Sequence, residues 1–229
     1  MKRFSIIIPV LNETGTINGL IARFKDLQGG EAVEIIVVDG SPERNTLKVI
    51  DDDYIHCLSS APGRARQMNA GAAAATGEIL IFLHADTWPP VEALPLIDGV
   101  MAQPGLVGGA FDLGIRSHRL IFKVIAATAS LRSRLTRIPY GDQAIFIRRT
   151  HFHALGGYPD IPLMEDVALM QKIKKSGGRI HLFPNRVSTS PRRWEKEGVL
   201  RATLRNWILL GAYYLGASPE KLARYYRRE

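Results

Sequence analysis

Three continuous apolar runs dominate the first third of the chain: FSIIIPV at residues 4–10, VEIIVVDG at 33–40 and GEILIFLHAD at 77–86. Runs of β-branched and aliphatic residues without polar alternation suit strands covered on both faces. The stretches between them read as helices at 14–27, 42–50 and 64–75, with a shorter strand at 54–58. Further on, the pattern predicts a helix at 91–103, a strand at 107–113, a long helix at 120–135 and a strand at 143–148. A helix at 164–175 is stopped by Gly177 and Gly178, a strand follows at 179–183, and two helices from residue 199 onward are separated at 216–219. Alternating strands and helices predict an α/β fold, with a mostly parallel central sheet flanked by helices and further helices at the C-terminal end. No repeat, low-complexity tract or linker divides the 229 residues, so a single domain is expected.

Composition narrows the class. A 46% hydrophobic content is enough for one sizeable core and excludes a disordered chain. The one cysteine, Cys57, cannot form an internal disulfide; it reads as a small buried hydrophobe, and a cytoplasmic setting is expected. Lys2 and Arg3 precede an apolar run that Pro9, Asn12 and Glu13 end too soon for a secretory leader. The longer apolar stretches at 120–131 and 199–216 are interrupted by Lys123 and by Arg201 with Arg205, so no spanning helix is expected. The net charge of +8 is concentrated at the end: residues 179–229 hold eleven Lys or Arg against four Asp or Glu. Nucleic acid, acidic lipid headgroups and a phosphorylated substrate would all answer such a patch. Trp207, Tyr213, Tyr214, Tyr225 and Tyr226 among these arginines suit peripheral contact at the inner membrane face, or a buried helix with a basic rim.

The turn after the first strand, PVLNETG, has neither the glycine pattern of a dinucleotide fold nor that of a P-loop. A nucleotide would instead be held by polar groups at the carboxyl ends of the strands, where ligands sit in open α/β sheets. Glu13, Asp39 and Asp86 fall at such ends. Any one of them could be a helix cap, but three at one sheet edge point to a shared site. Carboxylates can accept from a uracil N–H or ribose hydroxyls, or hold Mg²⁺ or Mn²⁺ against a diphosphate.

IIIPVLNE, IIVVDGS, ARQMNAGAAAATGEILIFLHADT and MEDVALMQKIKKSGG, in that order, resemble the successive motifs of family 2 glycosyltransferases. The resemblance implies a GT-A fold with a nucleotide-sugar-binding half at 1–113, an acceptor-binding half at 114–229, a UDP-sugar donor such as UDP-GlcNAc or UDP-glucose, and a divalent metal. Carried over by position, Pro9, Glu13 and Asp39 contact uridine, and Asp86 is the last acid of a D-x-D-like metal motif. His84 stands where that motif has its first acid; imidazole accepts Mn²⁺ more readily than Mg²⁺. Arg64 and Arg66 can answer diphosphate charge or form a solvated helix face. Asn69 and Gly71 match the family's N-x-G and read as architectural. Glu165 and Asp166 match its E-D pair, with Asp166 as the general base of an inverting transfer; helix N-terminal acids are the alternative. Arg193 and Trp194 stand where processive relatives carry an R-W pair, Arg193 to contact the diphosphate and Trp194 to stack on the acceptor or the sugar, with core packing the alternative for the tryptophan; Ser190 replaces those relatives' glutamine, so a polysaccharide synthase is not expected.

GRARQMNAGA, LRSRLTRIPYGDQAIFIRR, GGYPDIPLMEDV and TSPRRWE further resemble a small branch of that family that includes arsenosugar-type glycosyltransferases and the selenosugar synthase of selenoneine biosynthesis. That branch implies attack of selenophosphate on the sugar's anomeric carbon, with UDP and then phosphate released. An anionic acceptor needs guanidinium partners, and Arg132, Arg134, Arg137 and Arg192, with Asp142 and Gln143 between them, are the candidate acceptor residues. The rivals are a hydroxyl or lipid-linked acceptor at the membrane surface, a nucleotidyltransferase, which would need a glycine-rich loop after strand one, and a noncatalytic anion-binding module. No nucleic-acid partner is expected, because such a module leaves the ordered acids unexplained.

Overall fold

The computed structural model describes residues 2–27 and 33–227; Arg228 and Glu229, the end of the basic segment, lie outside the described residues. The strands are β1 (Phe4–Val10), β2 (Val33–Asp39), β3 (Ile55–Ser59), β4 (Ile79–Phe82), β5 (Thr87–Trp88), β6 (Leu106–Ile115), β7 (Phe146–Arg148) and β8 (Arg179–Thr189). The helices are α1 (Ile17–Phe24), α2 (Arg64–Ala74), α3 (Ala93–Met101), α4 (Leu120–Thr136), α5 (Arg149–Ala154), α6 (Glu165–Lys175), α7 (Arg192–Glu197), α8 (Val199–Tyr214) and α9 (Pro219–Arg227). One sheet runs in the order β3-β2-β1-β4-β7-β6-β8-β5. The β1–β2, β2–β3, β1–β4 and β6–β8 pairs are parallel, whereas β7 runs antiparallel to β4 and β6, and β5 antiparallel to β8.

The central strands bury both faces, which is why they carry no polar alternation. Ile6, Ile8 and Val10 of β1 pack with α1 and α3 on one side. Ile7, with Val38 of β2, packs on the other side against Ala65, Met68 and Ala72 of α2. Gly71 lets α2 approach closely, since a Cβ there would lie 2.5 Å from Ile7 Cγ2. Asn69 fixes the middle of α2 by exchanging hydrogen bonds with the Tyr158 backbone, as donor at 2.8 Å and acceptor at 3.0 Å. Both residues of the N-x-G motif are thus architectural.

Several elements differ from expectation for identifiable reasons. The stretch 42–50 is a loop with one 3-10 turn at Leu47–Val49. Asp39 accepts from the backbone N–H of Ser41 and Thr46, and the Ser41 hydroxyl donates to Asn45, so side chains supply what a helix would have offered. The run 77–86 is strand only over β4; the chain then turns, with Thr87 N–H donating to His84 O, and enters β5. Conversely β8 continues past Pro184 to Thr189, because a register shift against β6 skips Pro184 and Asn185 and leaves the proline outside the ladder. The expected strand at 143–148 is the 3-10 turn Gly141–Gln143 followed by β7. Cys57 is exposed, because β3 is an edge strand and packs Ile55 inward.

Candidate active site

The sheet order reverses at β1: the chain builds β2 and β3 on one side, then returns to place β4 on the other. The loops after β1 and β4 therefore splay apart and leave a crevice at the strands' carboxyl ends, the switch point where open α/β sheets take ligands. A cleft of about 960 Å³ fills it, walled by Pro9–Glu13, the turn His84–Asp86, Gly63 and Arg64 at the start of α2, and Arg192 and Arg193 of α7. It leads into a chamber of about 200 Å³ bounded by His84, Asp86, Tyr140–Asp142, Met164–Val167, Arg193 and Trp194. A third cavity, about 390 Å³, runs from Tyr140, Asp142 and Trp194 outward between α4 and α8.

Two local conformations shape the chamber. Met164 adopts φ 66°, a left-handed conformation unusual for a side chain of its size, immediately before α6. The reversal sends Glu165 inward, 3% exposed and 3.2 Å from Arg64, and leaves Asp166 at the chamber wall. Gly141 opens the 3-10 turn; a Cβ there would come within 2.9 Å of His84 Nε2 and 3.6 Å of Asp166 Oδ2, so only glycine lets these groups converge. The Asp166 carboxylate is fixed by two backbone donors, Gly141 N–H at 2.8 Å and Val167 N–H at 2.7 Å.

The electrostatics follow from burial. His84 is held neutral, its pKa lowered to about 3 by burial and by the neighbouring Arg64 and Arg193, and its buried Nε2 has no hydrogen-bond partner. Burial pushes Asp86 up, with Arg192 and Arg116 opposing and Glu13 reinforcing. Asp142 is raised to about 6, by burial first and then by Asp166 and Asp86, against the pull of Arg132. Burial also raises Glu165, against Arg64.

A neutral imidazole with a free Nε2 and a carboxylate raised by burial, two residues apart on one turn, form a donor set that fits a divalent cation. Among the described residues no group of three or more His, Cys, Asp or Glu is placed to hold a metal, so other ligands would have to complete the shell. Mg²⁺ and Mn²⁺ sites at phosphates are commonly built this way, from one or two side chains plus phosphate oxygens and water.

The sequence-predicted residues divide. Pro9, Glu13, Arg64, Asp86 and Arg193 line the cleft together. Asp39 points into its own loop and is fully buried. Arg66 forms a two-oxygen pair with Asp160 at 2.8 and 3.0 Å and does not line the cleft. Trp194 sits between chamber and groove, edge-on to Phe122, and not in the cleft. Of the candidate acceptor residues, Arg132 stacks over Tyr140 and, with Asp142, lines the groove. Gln143 is buried, with its amide oxygen accepting from Ser133 and Tyr140 and its nitrogen donating to Phe111 O, so it anchors the turn. Arg134 pairs with Asp112. Arg137 borders a separate cavity beside β8. Arg192 reaches the other side of the cleft and pairs with Glu13 at 2.8 Å.

Gln67, Lys196 and Tyr226 also border the cleft, and Asn206 the chamber and groove, without having been expected. Gln67 was signalled only by being polar in an alanine-rich helix; its amide nitrogen donates to Val10 O and Val38 O. Tyr226 arrives because α9 folds back onto Leu163 and Leu209 through Leu222 and Ala223, placing its ring under Arg193.

Comparison with known proteins gives the family and the fold. Residues 5–156 match the family described as Glycosyl transferase family 2, and the chain belongs to that family. It is 25% identical over 222 residues to a probable glycosyltransferase, YdaM, of Bacillus subtilis, covering 86% of this chain and 51% of that protein. It is 26% identical over 159 residues to glucosyl-3-phosphoglycerate synthase of Mycolicibacterium smegmatis, covering 58% and 52%. To the pre-mycofactocin glycosyltransferase of Mycobacterium tuberculosis it is 24% identical over 245 residues, covering 96% and 48%. The chain thus spans about half the length of the curated relatives it matches. Among solved structures it is similar to S. aureus TarS 1-349 in complex with UDP-GlcNAc, with TM-score 0.64, 16% identity, and 82% and 58% of the two chains covered. The fold is the GT-A fold.

Proposed function

We propose that this chain transfers a hexosyl group from a UDP-sugar, UDP-GlcNAc or UDP-glucose, to a hydroxyl acceptor with an apolar body, inverting the anomeric centre. The observation that carries this reading is the junction of three spaces at one carboxylate: the large charge-lined cleft and the apolar groove meet at the chamber where Asp166 is held by two backbone N–H groups. The donor lies in the cleft, its nucleoside against the Pro9–Glu13 loop and its diphosphate toward Arg64, Arg193 and Asp86, with the UDP-GlcNAc complex of TarS as the analogy for the donor. Opening the Arg192–Glu13 pair would free both residues for the donor. Asp86 and His84 would hold a Mg²⁺ or Mn²⁺ ion, which supplies charge neutralisation for the departing diphosphate. The acceptor oxygen attacks the anomeric carbon as the bond to the diphosphate breaks, its electron pair leaves on UDP, and Asp166 takes the acceptor's proton.

A second reading, attack by selenophosphate, rests on the GRARQMNAGA, PYGDQ and SPRRWE strings and on Arg132 and Arg193 beside the chamber. The dispersal of Arg134, Arg137 and Arg192 to other partners and faces favours the hydroxyl acceptor. The test is product mass spectrometry with either UDP-sugar, offering alkyl glycosides or selenophosphate, with Mg²⁺, with Mn²⁺ and with chelator. Glycosylated alkyl product supports the first reading; a selenium-bearing sugar, still formed by Asp166→Ala because an anionic nucleophile needs no base, replaces it with the second. UDP release with neither product discards both acceptors.

A further inference from the structure

Two helices flank the outer groove, and both turn apolar residues to solvent. On α4 the exposed face is Leu120, Val124, Leu131 and Leu135, at 74, 56, 56 and 77% exposure. Spacings of four and seven residues keep them on one stripe. On α8 a second stripe holds Leu200, Leu204, Trp207 and Ile208 and continues to Leu215 just past the helix end. Each stripe is roughly 25 Å long at 1.5 Å per residue. Among the described residues, eleven of the fifteen exposed large hydrophobics lie on or beside α4, α8 and α9, so the patch is concentrated well beyond the scattered exposure of an ordinary surface. The groove opens between the two stripes, and Trp207 of the α8 stripe also lines it.

The charge on these helices selects the occupant. No Asp or Glu occurs in 120–136 or 199–214, while Lys123, Arg132, Arg134, Arg201 and Arg205 do. Arg134 and Arg205 are balanced by Asp112 and Glu197, and Lys123 and Arg201 lie exposed beside the stripes. Two copies meeting through this face would set cations against cations. An anionic bilayer satisfies both features, taking leucines and Trp207 into the acyl boundary and lysine and arginine at the headgroups. No helix among the described residues is long and apolar enough to cross a membrane, so the contact would be lateral.

We propose that the α4/α8 face docks in the plane of an anionic lipid bilayer, with the groove mouth opening onto the membrane. Lipid docking stands on the surface alone; only its corollary, that an acceptor's apolar tail enters from the bilayer, rests on the transferase reading.

The test is flotation of the purified full chain with vesicles of phosphatidylcholine alone or with one third phosphatidylglycerol, at low and high salt, for the wild type and for Leu131→Glu/Leu204→Glu. Neither leucine lines the groove or contacts the cleft, and both are exposed, so folding should be unaffected. UDP release from UDP-glucose and from UDP-GlcNAc, each with an alkyl glycoside as acceptor, is read in parallel in solution. The expected result is co-flotation with the phosphatidylglycerol vesicles, reduced by salt and at least about tenfold weaker in the double variant, with UDP release unchanged. Docking is overturned if the wild type stays unbound, if the variant floats as the wild type does, or if the wild type is a dimer that the same substitutions split. Absence of UDP release in both proteins would sink the transferase reading and leave the flotation result to decide the docking.

Discussion

Asp142 offers a test in which stability and function move in opposite directions. It sits in the 3-10 turn Gly141–Gln143, borders both chamber and groove, and titrates near 6, where the ordinary aspartate value is 3.8. Its folded pKa lies above its unfolded one, so the folded state holds the proton more tightly. Its contribution to stability is therefore complete below about pH 4 and is lost as pH rises through about 6. The interval corresponds to ~3 kcal/mol, and partial solvent access reduces it to roughly 1–2 kcal/mol. Asp142→Asn removes the cost of ionisation. Urea denaturation in the presence of chelator should find the variant more stable than wild type by about 1–2 kcal/mol at pH 8 and no more stable at pH 4. Transfer to acceptor should fall at the same time, by about tenfold or more, as expected of a strained site residue. A variant less stable at pH 8, or a difference independent of pH, would refute the reasoning and make Asp142 an ordinary structural carboxylate.

Three further substitutions probe separate parts of the structure. Asp166→Asn should lower kcat for a hydroxyl acceptor by roughly 10²–10⁴ while leaving UDP-sugar affinity within a few fold, measured by steady-state kinetics and calorimetry. His84→Asp restores a two-carboxylate turn and should move the metal preference from Mn²⁺ toward Mg²⁺, read as the ratio of activities with the two ions. Glu34 tests the core: burial opposes its ionisation, but hydrogen bonds from Ser5, Thr76 and Gly77 outweigh it and hold its pKa below the usual value. Its stabilisation is present above about pH 4.5 and lost on acidification. Glu34→Gln should cost about 1–3 kcal/mol at pH 7 in urea melts, with the deficit shrinking as pH falls.

The wall of the cleft formed by the strand ends was legible because it is contiguous in sequence: the acids after β1 and β4 could be placed at one edge once the strands were recognised. Asp39 also closes its own loop, accepting from the Ser41 and Thr46 N–H groups, a local role its sequence position did not reveal. The acceptor side depends on where helices pack, which local pattern does not encode. Arg134, Arg137 and Arg192 are close in sequence to the site yet point to Asp112, to the cavity beside β8 and to Glu13. Pro184 hid the second half of β8, whose register shift is fixed by its partner β6. Tyr226 joined the cleft only through the return of α9 onto Leu163 and Leu209.

The central claim is that the cleft between the Pro9–Glu13 loop and α7 holds a nucleotide diphosphate together with a cation at Asp86. Calorimetric titration of UDP, with and without Mn²⁺, into the wild type and Asp86→Asn tests it most directly. Coupled binding is expected, UDP and Mn²⁺ each tightening the other by about tenfold or more in the wild type, with the coupling lost in the variant. Failure of UDP to bind, or binding indifferent to both Mn²⁺ and Asp86, would contradict it.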